Sequence, residues 1–246
     1  MARTLIIPDI HNKVRQVDAI LDRLRRQHSF DRVICLGDYF DKSSDTVEEA
    51  QITAQWLKRN IEDTDYIFLL GNHDLHYLSD HPSFRSSGYT QDKARAINRI
   101  LTAEHWSRCH LHAWVDGWLV THAGWNTEFG DWENGSLRHG IDARIQQARL
   151  AIMQQGSDPL LLAGRSRGGD QNSGGILWQD MSEAQPITGL RQIVGHTPCR
   201  EIVTREQDGG VIKFCDTRLG YFALLHEGGV QAIETGLARF PRKRTG

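Results

Sequence analysis

Three short, unbroken apolar runs, each cut off by glycine or aspartate, restrict what this chain can fold into more than any other feature. They are Leu5-Ile6-Ile7 before Pro8-Asp9, Val33-Ile34-Cys35-Leu36 before Gly37-Asp38, and Tyr66-Ile67-Phe68-Leu69-Leu70 before Gly71. Apolar runs without alternation belong to strands covered on both faces, as in parallel sheets. Helical periodicity fills the gaps between them. From Lys13 to Gln27 the residues Val14, Val17, Ile20, Leu21 and Leu24 share one face. A second helix is expected from about Thr46 to Arg59, with Asp45 and Glu48 as its capping box. The order β-α-β-α-β predicts a parallel sheet with helices packed on it.

Further along, a helix is expected from Asp92 to about Glu104 and another from about Ile141 to Gln154. Between them, Leu111 to Val115 and Trp118 to Thr121 flank Asp116-Gly117, the signature of a two-residue hairpin. The Gly-rich stretch from Gly164 to Gly175 reads as a long polar loop. The last third holds short strand-like runs from Gln192 onward, expected to form a second sheet. With 246 residues, 39% apolar and 24% charged, the chain can bury a core. A single domain is expected over 1–238, with a basic, flexible tail at 239–246. The net charge of −2 excludes a chain-wide basic footprint for nucleic acid or membrane. No apolar run approaches the roughly 18 residues of a membrane span. The apolar patch at the start falls short of the roughly 7–15 residues of a signal peptide. The expected setting is therefore cytoplasmic, without nucleic-acid or membrane partners. The four cysteines, Cys35, Cys109, Cys199 and Cys215, lack disulfide or zinc-knuckle spacing and read as free thiols.

The chemistry gathers where the strands stop. The tips read Asp9-Ile10-His11, Gly37-Asp38-Tyr39-Phe40-Asp41, Gly71-Asn72-His73-Asp74, Thr121-His122-Ala123-Gly124 and Gly195-His196-Thr197. In open α/β sheets ligands bind beyond the carboxyl ends of strands, so five polar tips on one edge converge. Each tip alone is commonplace as a turn or a core histidine; their succession is not. Carboxylate, imidazole and amide donors together suit Mn, Fe, Zn, Co or Ni. Six protein ligands are too many for one cation with an open position, whereas two cations sharing a carboxylate would use them all. Asp38 is the bridging candidate, with Asp9 and His11 on one ion and Asn72, His122 and His196 on the other.

This series of motifs resembles the calcineurin-like metallophosphoesterases. More narrowly, it looks like their serine/threonine protein phosphatase branch and the symmetrical diadenosine tetraphosphate hydrolases. The resemblance spans about Leu5 to Leu225 and implies a four-layer α/β/β/α sandwich with two central mixed sheets. It also implies two divalent metal ions, with Mn the first choice, and a phosphorylated substrate attacked by metal-activated hydroxide. His73 would be the general acid, oriented by Asp41, which would raise its pKa. The branch ends in G-H without the second histidine of the diesterases, and here position 198 is proline.

Three departures bear on the substrate. Lys42 stands where the branch has a phosphate-gripping arginine, and Leu70 stands where it has another. Asp180, after Leu177-Trp178-Gln179, stands at a third. Arg165 and Arg167 on the Gly-rich loop are candidates to replace them. Trp125 beside the His122 motif could stack on a base or aryl group. The expected activity is thus a metal-dependent phosphatase. The alternatives are a nucleotide or dinucleoside polyphosphate hydrolase, and a non-catalytic scaffold that retains the fold.

Overall fold

The computed structural model describes residues 2–41, 44–130 and 136–237. Lys42 and the 239–246 tail lie outside the described residues. The first three apolar runs are strands β1 (Thr4–Ile7), β2 (Arg32–Cys35) and β3 (Tyr66–Phe68), paired in parallel. Their crossovers are α1 (Val14–Gln27) and α2 (Val47–Asn60). Alternate strand residues serve two cores, because side chains alternate across a sheet. Leu5, Ile7, Val33, Cys35 and Phe68 join the cluster that holds the buried faces of both helices. Ile6, Ile34 and Leu36 face the other way, into a cluster with Val115, Trp118, Val120 and Ile193.

Those last four residues belong to a second five-stranded sheet. It contains the hairpin β4 (His112–Val115) and β5 (Trp118–Thr121), followed by β6 (Arg191–Val194), β7 (Val203–Gln207) and β8 (Gly210–Phe214). Asp116 and Gly117 both have positive φ, 48° and 77°, as the predicted hairpin turn requires. β5, β6 and β8 run parallel. Two sheets therefore pack face to face, and each fully buried aliphatic chain between them is worth about 1.5–3 kcal/mol. The helix α6 (Leu137–Met153) lies against the hairpin, where its Asp142 accepts hydrogen bonds from the Trp114 indole at 2.7 Å and from His112 at 2.8 Å. This is the four-layer α/β fold implied by the motifs. No helix among the described residues is long and apolar enough to cross a membrane.

Three local expectations are corrected. The last two strands, β9 (Tyr221–His226) and β10 (Gly229–Glu234), do not join the second sheet. They return to the first, where β9 pairs antiparallel with β1. The run Phe222 to Leu225 is apolar on both faces, which suits an interior strand and not an edge. The helix expected over Asp92 to Glu104 is two helices, α4 (Gln91–Asn98) and α5 (Ala103–Ser107). Thr102 starts the second, its N–H bonded to His105 Nδ1 at 3.1 Å. The capping box of α2 uses Thr46 and Glu49, not Asp45 and Glu48. Asp45 is drawn away by Asn12 Nδ2 at 2.6 Å and by Lys93 Nζ at 3.2 Å.

Candidate metal centre

All five strand tips meet at one end of the two sheets. The turn after β1 is made by His11 and Asn12, with φ of 45° and 60°, and the N–H groups of Ile10 and His11 both reach the carbonyl of Asp38. Asp38, Asp41 and His196 also have positive φ. Non-glycine residues held in this costly region cluster at functional sites. Glycine is needed where the tips crowd. A Cβ on Gly71 would sit 2.2 Å from Asp38 Oδ1, and one on Gly195 would sit 2.3 Å from Asp9 Oδ1.

Asp9, His11 and Asp38 place ligand atoms within 4.8 Å of one another, and so do Asp38, His122 and His196. Asp38 is common to both groups. Asn72, the first residue of α3 (Asn72–Leu78), brings its Oδ1 to 3.0 Å from His122 Nε2. The donor set is that of a cation site. His122 Nδ1 bonds the carbonyl of Leu36 at 2.8 Å, which fixes the proton on that nitrogen and leaves Nε2 a bare lone pair. Yet Nε2 faces Asn72 Oδ1, His196 Nδ1 at 3.2 Å and Asp38 Oδ2 at 3.6 Å. His11 repeats the pattern, with Nδ1 on the carbonyl of Phe40 at 3.1 Å and Nε2 3.7 Å from Asp38 Oδ2. Converging lone pairs fit a pair of cations sharing Asp38.

The electrostatics agree. Burial pushes the pKa of Asp9 well up, helped by the charges of Asp216 and Asp38. Burial also opposes ionisation of Asp38, but the imidazoles of His122, His73, His11 and His196 outweigh it and hold the group well below the usual carboxylate range. Burial lowers His122 and His196, keeping both in the neutral, ligating form. For His73 the burial penalty is exceeded by the charge of Asp38 and by contact with Asp41, and its pKa is raised to about 9.

His73 is tied in at both ends. Its backbone N–H donates to Asp38 Oδ1 at 2.9 Å. Its Nδ1 lies 3.6 Å from Asp41 Oδ2 and 3.3 Å from Ser86 Oγ. Asp41 makes shorter contacts elsewhere, to His76, Tyr77 and Lys93. Four contributors escaped the sequence reading. Asp74 is fully buried and accepts from the N–H groups of Asp38, Tyr39 and Gly71 at 2.8–2.9 Å, binding the second and third tips together. Asp216 lines the same cavity as His11, and it ends the apolar run of β8, so the strand-end rule would have found it. His76 and Lys93 carry no such signal.

A cavity of about 980 Å³ opens over His11, His73, Asp41 and Asp216, with Lys13, Lys93 and Arg218 also on its wall. Arg167 is committed to Asp180 Oδ2 at 2.7 Å and to Thr197 Oγ1 at 3.0 Å, beside His196 but outside that wall. Arg165 is exposed and does not line the cavity. Trp125 is fully buried, so it packs the core and does not stack on a ligand. Trp178 takes the position against the centre, edge-on to His196 at 5.8 Å between ring centroids.

Residues 2–200 match the sequence profile of the calcineurin-like phosphoesterases. Among solved structures, a point variant of a cold-active protein tyrosine phosphatase superposes with a TM-score of 0.62 at 15% identity, covering 98% of this chain and 80% of that one. The cold-active protein tyrosine phosphatase of a psychrophilic Shewanella gives 0.59 at 15% identity, over 95% and 81%. A protein provisionally described as a diadenosine tetraphosphatase gives 0.51 at 18% identity, over 95% and 93%. At these identities the likeness is one of fold. No curated protein matches the sequence.

Proposed function

Because the chain belongs to the calcineurin-like phosphoesterase family, we propose that it is a dinuclear metal-dependent phosphatase hydrolysing phosphate monoesters. The observation that carries this reading is Asp38, which lies in both ligand groups at once, with His73 held beside it. Asp9 and His11 would complete one cation site, and Asn72, His122 and His196 the other, with Mn the first choice. When bound, such a pair of cations supplies charge for the phosphate oxygens and brings the pKa of a water near neutrality.

The remaining work falls to the chain's own side chains. His73 sits at the cavity with its Nδ1 turned toward Asp41 and Ser86, so Nε2, across the ring, is the atom to protonate a leaving oxygen. A raised pKa keeps that proton in place at neutral pH. Asp9 receives the N–H of His196 on both oxygens at 3.2 Å, which joins the tip of β6 to that of β1.

The size of the cavity, about 980 Å³ reaching past the ligand cluster to Lys13 and Arg218, favours one second reading. That reading is hydrolysis of nucleotides or dinucleoside polyphosphates, in line with the description of one structural neighbour. Hydrolysis with Mn²⁺ and with Ni²⁺, followed as released phosphate for monoesters and as nucleotide products by chromatography for the others, is the test. The panel is a serine, threonine or tyrosine phosphopeptide, an aryl phosphate, nucleotides, cyclic nucleotides and dinucleoside polyphosphates. Metal-dependent turnover of monoesters is expected. Preference for the polyphosphates would establish the second reading, and no turnover by fully metal-loaded protein would leave a scaffold.

A further inference from the structure

Lys93 is a buried lysine, 3% exposed, in the first turn of α4 and far in sequence from every motif. Its ammonium meets Asp41 Oδ1 at 2.6 Å and both oxygens of Asp45 at 3.2 Å. The other bonds of Asp41 are equally tight. Tyr77 donates its hydroxyl to Oδ1 at 2.7 Å, and His76 Nε2 lies 2.7 Å from Oδ2. Ser86 N–H donates to His76 Nδ1 at 3.3 Å, so that nitrogen is the acceptor and Nε2–H is the donor toward Asp41. Ser86 Oγ lies between the two rings, 3.1 Å from His76 Nδ1 and 3.3 Å from His73 Nδ1. Three short bonds thus immobilise a carboxylate whose Oδ2 also lies 3.6 Å from His73 Nδ1. A buried ammonium shared by two carboxylates is a costly arrangement for a helix that could dock by its apolar face alone.

We propose that Lys93 is a positioning residue for the proton donor: by clamping Asp41, and through it the Nδ1 edge of His73, it sets how well His73 serves the leaving oxygen. This rests on the phosphatase reading above. A purely structural lysine would affect all substrates alike. A positioning one would not, because an alkoxide needs a proton to leave and a dinitrophenolate does not.

The experiment compares Lys93→Met with the unmodified, Mn-loaded protein on a phosphoserine peptide and on a dinitrophenyl phosphate. Metal content is checked by emission spectrometry. The expected kcat loss is at least about tenfold greater on the phosphoserine peptide, with each KM within roughly threefold, and His73→Asn shows the same skew. Should Lys93→Met fail to fold by circular dichroism, Lys93→Gln is read in the same way. The metal-free, unmodified protein gives a second readout: a slowly exchanging lysine ammonium signal in ¹H–¹⁵N spectra. Equal losses on the two esters, or an ammonium that exchanges as fast as those of surface lysines, would overturn the role of Lys93 alone. Failure of the unmodified enzyme on every ester would overturn the phosphatase reading and this role with it.

Discussion

At the scale of single residues the centre is a set of lone pairs aimed by backbone carbonyls. Leu36 and Phe40 each hold one imidazole by its Nδ1 and turn the other nitrogen inward. His73 is separate from this set: it touches Asp38 through its backbone and presents its ring to Asp41 and Ser86. His73→Asn should therefore lower turnover by on the order of 10²–10⁴ while leaving the bound metal unchanged. Steady-state kinetics beside elemental analysis checks this, and loss of both ions in the variant would mean that His73 is a ligand. The residues brought together here as candidate ligands were legible because each follows an apolar run. Asp74 and His76 were not, since on a short helix they read only as polar neighbours of Asn72. Lys93 was invisible for a different reason. A lysine in an amphipathic helix ordinarily faces water, and nothing local tells that its partners lie 48 and 52 positions upstream.

At the scale of elements, strand ends must approach closely without side chains in the way. Gly71→Ala would drive a methyl into Asp38, the carboxylate common to both ligand groups. Calorimetric titration with Mn²⁺ should show both sites lost or severely weakened, even if the variant folds. The cap of α2 makes a contrasting case. Thr46 Oγ1 accepts from Glu49 N–H at 3.1 Å, and Thr46 N–H donates in turn to Glu49 Oε2 at 2.9 Å. Thr46→Ala should cost about 1 kcal/mol in denaturant unfolding with little effect on metal binding. Periodicity found α1 and the hairpin almost to the residue. It failed at residue 102, where a threonine fit to start a helix lay inside an apolar pattern that read as continuous. It failed again at Asp45, whose side chain answers to Asn12 and Lys93 and not to its own helix.

At the scale of the molecule, the candidate ligands are divided between the sheets. Asp9, His11, Asp38 and Asn72 follow strands of the first, and His122 and His196 follow strands of the second. Bound cations would therefore join the two layers, and their binding energy would add to the stability of the sandwich. At a hundred times the dissociation constant this is about 2.7 kcal/mol. For a chain of this length a melting point roughly 5–10 °C higher with Mn²⁺ than with chelator is expected by differential scanning calorimetry. An equal melting point in both conditions would mean that no such bridge forms. The layering was legible, but the return of β9 and β10 to the first sheet was not. An apolar run names a buried strand without naming the sheet that buries it.

That return has a bearing on biosynthesis. The strand that leads into Asp9 is flanked on one side by β2, which follows closely, and on the other by β9, which is translated some 220 residues later. A nascent chain still lacking Tyr221–His226 already carries every cradle residue and yet has an open flank beside the one bearing the first of them. Competence should then arrive abruptly once β9 has been added, and a ribosome-stalled chain cut just before that strand should remain inert.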